Sequence, residues 1–246
     1  MNSGTFRSLL AILLFAYAGS CIDAGAQDSL QVLPNDYIMN DILNQQRVKS
    51  AIEFHGDETQ PRKKKDPLAV TTGKTSYVSS QQVSLRVRQQ FADNLKASVG
   101  VDGARLVADA LKKSDPVAEW AAIVGGDGLR PGDVADVVAS YWILNWVMAN
   151  GSDSTDRQAQ AVREQIRPII AANTGLNDAQ RQEIAEVLIL NFLMQRTAYV
   201  NALNKGDAAT ARKLGDAAVK RFSDEMAVDL KKLELTDNGF IASGPR

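Results

Sequence analysis

A chain of 246 residues, 45% apolar and 23% charged, has the length and composition of one or two globular domains. Its formal net charge of −1 supplies no global field for nucleic acid or an anionic membrane. One cysteine, Cys21, and one histidine, His55, argue against a disulfide framework, a zinc or copper centre and a histidine-based triad, so no cofactor or metal is expected.

The first residues carry an export signature. Arg7 and the amino terminus precede an apolar run of 11 residues, Leu9 to Gly19, too short for the roughly 20 a bilayer helix needs. Small residues follow, and Ala24-Gly25-Ala26 forms an A-x-A site whose cleavage leaves Gln27 first. Residues 1–26 are therefore expected to be a signal peptide, with cleavage between Ala26 and Gln27 and a periplasmic or secreted product. Ala18-Gly19-Ser20 before Cys21 offers a second reading, a lipoprotein anchored through Cys21. Loss of Arg7 and Asp23 with the leader keeps the charge at −1. No later run is long and apolar enough for a transmembrane span.

Residues 27–78 read as a mostly disordered linker. Apolar residues are scattered, and Asp36 to Ile52 could form at most a short helix through Ile38, Ile42 and Val48. Lys63-Lys64-Lys65 is flanked by Pro61 and Pro67 and has no interleaved aromatics, so a solvated spacer explains it better than a nucleic-acid patch. His55, beside Gly56, reads as a surface residue.

From Ser79 the period turns helical. Val83, Val87, Phe91, Leu95 and Val99 share one face after Ser79 and Ser80 as candidate caps, and Gly100 ends this helix. Asp102 opens a short second helix through Leu111. Asp115-Pro116 is an N-cap and first turn for a third, with Val117, Trp120, Ala121 and Val124 on one face. After the break at Gly125-Gly126-Asp127-Gly128, Pro131-Gly132-Asp133 starts a fourth helix that stops at Gly151. Its Val134, Val137, Val138, Tyr141 to Leu144 and Trp146 to Met148 leave almost no polar side, which marks a buried helix; residues 184–194 have the same character. An amphipathic stretch, 156–172, carries Pro168, which should kink or interrupt it. Asn177 caps a sixth helix followed by Gly206, and Ala211, Leu214, Ala218, Phe222, Met226, Leu230 and Leu233 stripe the last.

No alternating segment is long enough for a sheet, and no repeat of solenoid length occurs. The expected fold is all-α: a single bundle of about six to seven helices over residues 79–235, with two buried central helices at 133–150 and 178–204. Residues 236–246 read as a flexible tail, with Phe240-Ile241 able to fold back as an apolar clip.

The chemistry-bearing residues have ordinary explanations. Gly125 to Gly128 lacks the Lys and preceding strand of a phosphate loop. The oxygen-rich loop Asn150 to Asp156 lacks the central Gly and terminal Glu of a calcium hand, although Asn150-Gly151-Ser152 is a glycosylation sequon if exposed. Asp133 with Asp136, and Glu183 with Glu186, sit near helix starts, where capping and the dipole account for acids. The unusual concentration is Trp120, Tyr141, Trp142 and Trp146: either an aromatic core, or a ligand pocket or interface. Asn145 and Asn191 are polar spots in the two most apolar helices and need partners if buried.

Tyr77-Val78, the segment Leu129 to Asp136 with Ser140-Tyr141-Trp142 and Trp146, and the ending Leu235 to Phe240 together resemble a family of uncharacterised exported bacterial proteins, a domain of unknown function. The resemblance spans roughly residues 77–241 and implies a helical periplasmic or secreted domain. It implies no activity and no site residues.

The reading that results is a non-enzymatic binding domain of a bacterial envelope, acting on an envelope protein or ligand. The alternative is a periplasmic enzyme or small-ligand-binding protein with a pocket near Trp142 and Trp146. Candidate ligand or interface residues are Trp142, Trp146, Tyr141, Glu119 and Asn145, with no catalytic residue assigned.

Overall fold

The computed structural model describes residues 73–243. The expected signal peptide with its expected Ala26–Gln27 cleavage site, Cys21, His55 and the lysine run lie outside them. Seven α-helices and one hairpin are formed: α1 (Gln81–Asn94), α2 (Lys96–Lys113), α3 (Pro116–Val124), α4 (Val134–Asn150), α5 (Asp156–Ala171), α6 (Asp178–Asn204), α7 (Ala208–Met226), β1 (Leu233–Thr236) and β2 (Gly239–Ala242).

The local signals set most boundaries. Asp115 accepts from the Ala118 N–H with Pro116 in the first turn, which starts α3. Asp133 accepts from the Ala135 N–H at 2.8 Å, and Gly151, at φ +61°, ends α4 where a side chain would be strained. Thr155 with Gln158, and Asn177 with Gln180, form capping boxes for α5 and α6.

Helix α4 is buried along nearly its whole length and packs against α5, α6 and α7. That burial is what its unbroken apolar surface requires. With α6 it forms the centre of the bundle, as the sequence indicates. The stripe from Ala211 to Leu233 is buried throughout, although α7 ends at Met226 and a short 3₁₀ turn carries Leu230. A second, smaller core lies between α1, α2 and α6, where Val83, Val87, Phe91 and Leu111 meet Val187 and Leu190.

Three boundaries differ from the sequence reading, and one expected interruption does not occur. The first helix ends at Asn94, with Leu95 as both its C-cap and the next N-cap; Gly100, at φ +73°, makes a kink inside α2 instead. Helix α5 continues through Pro168 to Ala171. The missing N–H costs a bond only near the end, and buried Ile166, Ile169 and Ile170 fasten that turn to the core. Residues just before Ser79, expected to belong to the linker, are also placed against the bundle. Residues 75–78 run as a strap beside the start of α4, with the Tyr77 N–H donating to Gly132 at 2.9 Å and the Val134 N–H to Thr75 at 3.0 Å.

The last correction concerns the tail. Residues expected to fray form an antiparallel hairpin, with Leu233 opposite Ala242 and Thr236 opposite Gly239. Phe240 is only 1% exposed, so the apolar clip is its anchor. Gln165 of α5 holds that residue at both ends: Nε2 donates to the Phe240 carbonyl at 2.8 Å, and Oε1 accepts from its N–H at 2.9 Å. No helix among the described residues is long and apolar enough to cross a membrane.

Candidate functional site

The aromatic residues lie inside the bundle. Trp120 is fully buried and its indole N–H donates to Ser140 Oγ at 3.0 Å. Trp142 meets Phe222 edge-on at 5.0 Å and Phe240 at 6.1 Å. Tyr141 stacks on the same Phe222 at 6.0 Å, so the adjacent Tyr141 and Trp142 splay around one ring of α7. The Trp146 indole donates to the Leu233 carbonyl at 2.9 Å and its ring packs near Phe240. Asn145 is fully buried: Nδ2 donates to the Tyr141 carbonyl at 2.7 Å, and Oδ1 accepts from Arg221 at 2.6 Å. Tyr141, Trp142, Asn145 and Trp146 therefore form one interior cluster of α4, α7 and the hairpin. Glu119 belongs elsewhere, on α3 near Asp115 and Arg88.

Polar atoms remain unmatched inside this interior. The Trp142 indole N–H and both amide atoms of Asn191 and of Gln195 are buried without a hydrogen-bond partner. Such groups cost about 1–3 kcal/mol each unless water meets them. Asn145 is thus explained by structural bonds, whereas Asn191 is not.

A different feature is a narrow cleft between α1, α3 and α6, whose Arg88 also acts on Glu119. Arg88, Pro116, Val117, Glu186, Ile189 and Leu190 line it, and the gap between them has no room for a water-sized sphere. Glu186 is 5% exposed. Its Oε1 accepts from Ser84 Oγ at 2.6 Å and from Gln182 Nε2 at 2.7 Å. Gln182 also clamps the backbone of Ser80, accepting from its N–H at 2.7 Å and donating to its carbonyl at 2.9 Å. That explains why Ser80 sits at the N-cap of α1 with no side-chain cap bond: the start of the helix is fixed by α6.

Arg88 crosses the opposite wall. Its guanidinium donates to the carbonyls of Leu111 and Ser114 at 3.3 and 3.2 Å and lies 3.9 Å from Asp115. Burial, then the neighbouring Asp115 charge, push the Glu119 carboxyl above its ordinary value, with Arg88 opposing. Sequence reasoning picked out Glu119 and treated Glu186 as a helix-start acid. The signal for Glu186 is its position inside an apolar run: a carboxylate at a buried helical position needs dedicated partners.

The remaining acids are distributed by structure. Asp133 caps α4 and also pairs with Arg167 at 2.8 Å and accepts from Thr75 at 2.9 Å, tying the strap to α5. Asp136 is 5% exposed and lies 3.5 Å from Arg163. Burial, then the Asp133 charge, raise its pKa against the opposing Arg163 and Arg167. Glu183 pairs with Arg86 at 2.9 Å. No group of three metal-binding side chains occurs among the described residues. Asn150, the sequon residue, is half-buried and donates to the carbonyls of Trp146 and Leu230 at 3.0 and 3.2 Å.

No curated protein and no solved structure matches the chain. A family of unknown function, DUF6683, matches residues 7–242, a span that extends well beyond the bundle toward the amino terminus. The chain belongs to that family of unknown function.

Proposed function

We propose that this is an exported helical domain of a bacterial envelope that works by binding and catalyses no reaction. Two aspects of the molecule support the reading. The aromatic residues are used as core, with Trp120 and Trp142 at 0% and 1% exposure, and therefore offer no ligand a surface. Apolar side chains are instead exposed on the α1–α2 pair: Leu85 at 54%, Val101 at 72% and Leu106 at 52%. The second observation carries the proposal, because α2 rests on the bundle chiefly through α1 and leaves Val101 and Leu106 exposed.

Export rests on the order of charge, apolar run and small-residue site in residues 1–26. Two measurements test the proposal. The intact mass of the protein from its host's envelope fraction should correspond to a chain starting at Gln27, or at a lipidated Cys21 for the anchored form; a cytoplasmic protein retaining Met1 would contradict export. Copurification from that fraction should yield a defined partner that is lost when Val101 and Leu106 are replaced by Glu. Turnover of a substrate by the purified chain would contradict the non-enzymatic reading.

A further inference from the structure

We propose that the side of α6 carrying Arg196, Val200 and Leu203 docks an acidic, leucine-rich segment of a partner protein, with Arg196 pairing to its carboxylate. This adds a second surface to the binding role proposed above. Met194 packs against the α1–α2 core, and Arg196 lies two residues, about 200°, further round α6. The surface therefore faces away from the α1–α2 pair, and either reading can fail alone.

Arg196 is half-buried, yet among the described residues it has no ion pair and no hydrogen bond. The other partly buried arginines among the described residues each have a partner. Arg163, Arg167 and Arg181 lie 3.5, 2.8 and 2.8 Å from Asp136, Asp133 and Asp178. Arg88 reaches two carbonyls and Asp115, and Arg221 reaches Asn145. Burial pushes the Arg196 guanidinium below its ordinary value, and no described carboxylate opposes that shift. A partly desolvated cation without a counter-ion is costly, and a carboxylate arriving with a partner would offset the cost.

Helical spacing selects the rest of the partner. Val200 and Leu203 follow Arg196 at i+4 and i+7, on the same side of α6. Val200 is half-buried and Leu203 is 53% exposed. A single cation beside two apolar side chains suits one carboxylate flanked by leucine-type residues. The planar fork of arginine can meet that carboxylate with two parallel hydrogen bonds. Arginine is also enriched among the residues that dominate interface energies. A lipid surface fits less well: anionic headgroups are held by clusters of about 4–8 basic side chains, and the chain's net charge is −1.

The test is a chemical-shift titration of the full chain, read at backbone amides and arginine Nε–H groups, with the peptide acetyl-Leu-Glu-Leu-Leu-amide. Saturable shifts at Arg196, Val200 and Leu203, with a dissociation constant of about 0.1–1 mM, are expected for so short a peptide. The same peptide with Gln in place of Glu should bind at least about tenfold more weakly. Arg196→Gln should cost a similar factor, and Arg196→Lys should recover only part of it. Leu203→Glu, at an exposed position, should also weaken binding at least about tenfold, and serves if the Arg196 variants do not fold. No shifts with the Glu peptide, equal binding of the Gln peptide, or unchanged binding by a folded variant would overturn the proposal. Equal affinity for inorganic phosphate would overturn it too, by assigning the site to a phosphate group. So would Arg196 shifts that follow protein concentration alone, which assign the face to a second copy. Nuclear Overhauser contacts from the Leu203 methyl groups to residues before Gly73 would assign it to the chain's own amino-terminal part and contradict the proposal equally.

Discussion

The indole N–H of Trp146 donates to the carbonyl of Leu233 at 2.9 Å, across 87 positions of sequence. This bond joins the central helix to the hairpin, and Gln165 makes the second joint by pairing with both backbone groups of Phe240. Gln165→Ala leaves a buried N–H and a buried carbonyl unmet, which should cost about 2–4 kcal/mol. Thermal unfolding should report the loss, and amide exchange at Phe240 should accelerate more than at Trp120. Unchanged exchange at Phe240 would show that the ring alone seats the hairpin.

Trp142 should behave as a core residue. It is 1% exposed and wedged between Phe222 and Phe240. Trp142→Ala should destabilise the fold by about 3–5 kcal/mol. An unchanged melting temperature would contradict its placement.

Gly215 marks the closest approach of α7 to α4. A Cβ there would overlap the carbonyl oxygen of Met148. Gly215→Ala is a helix-favouring change locally, yet overpacking should dominate and cost about 1–3 kcal/mol. Denaturant unfolding decides the sign: a stabilised variant would mean that the two helices separate freely.

The pH dependence can be tested at Asp136. Burial first, then the Asp133 charge, raise its pKa, with Arg163 and Arg167 opposing. The folded chain therefore takes up this proton more readily than the unfolded chain. Protonation favours folding, so this group's contribution rises as pH falls through the folded pKa and levels off below the unfolded value. Asp136→Asn should raise the melting temperature near neutral pH and reduce the gain on mild acidification. Melts at about pH 7 and pH 4 read both effects. A lower melting temperature at neutral pH would mean that the 3.5 Å pairing with Arg163 outweighs burial.

These residues also show what was legible in the sequence. Helices α4 and α6 stand out because a helix apolar on every side has one place to go. The caps Asp115, Asp133 and Asn177 are local chemistry, readable within four residues, and they form as read. The hairpin was missed because each strand has only four residues, below the length at which alternation separates from chance. Its signal was the turn Asp237-Asn238-Gly239 between two apolar pairs, with Gly239 at φ +99°. The cleft was illegible for a different reason. Arg88 and Glu186 lie 98 positions apart, and only the packing of α1 and α3 on α6 brings them to one lining. The aromatic residues show the converse: their concentration was plain, but core and pocket share one composition.

The most direct test of the binding account is site-specific photo-crosslinking in the living host, with the probe at Val101 on α2 and a control probe at exposed Lys213 on α7. The account predicts one discrete envelope partner captured from Val101 and none from Lys213. Equal, diffuse capture from both positions would contradict it.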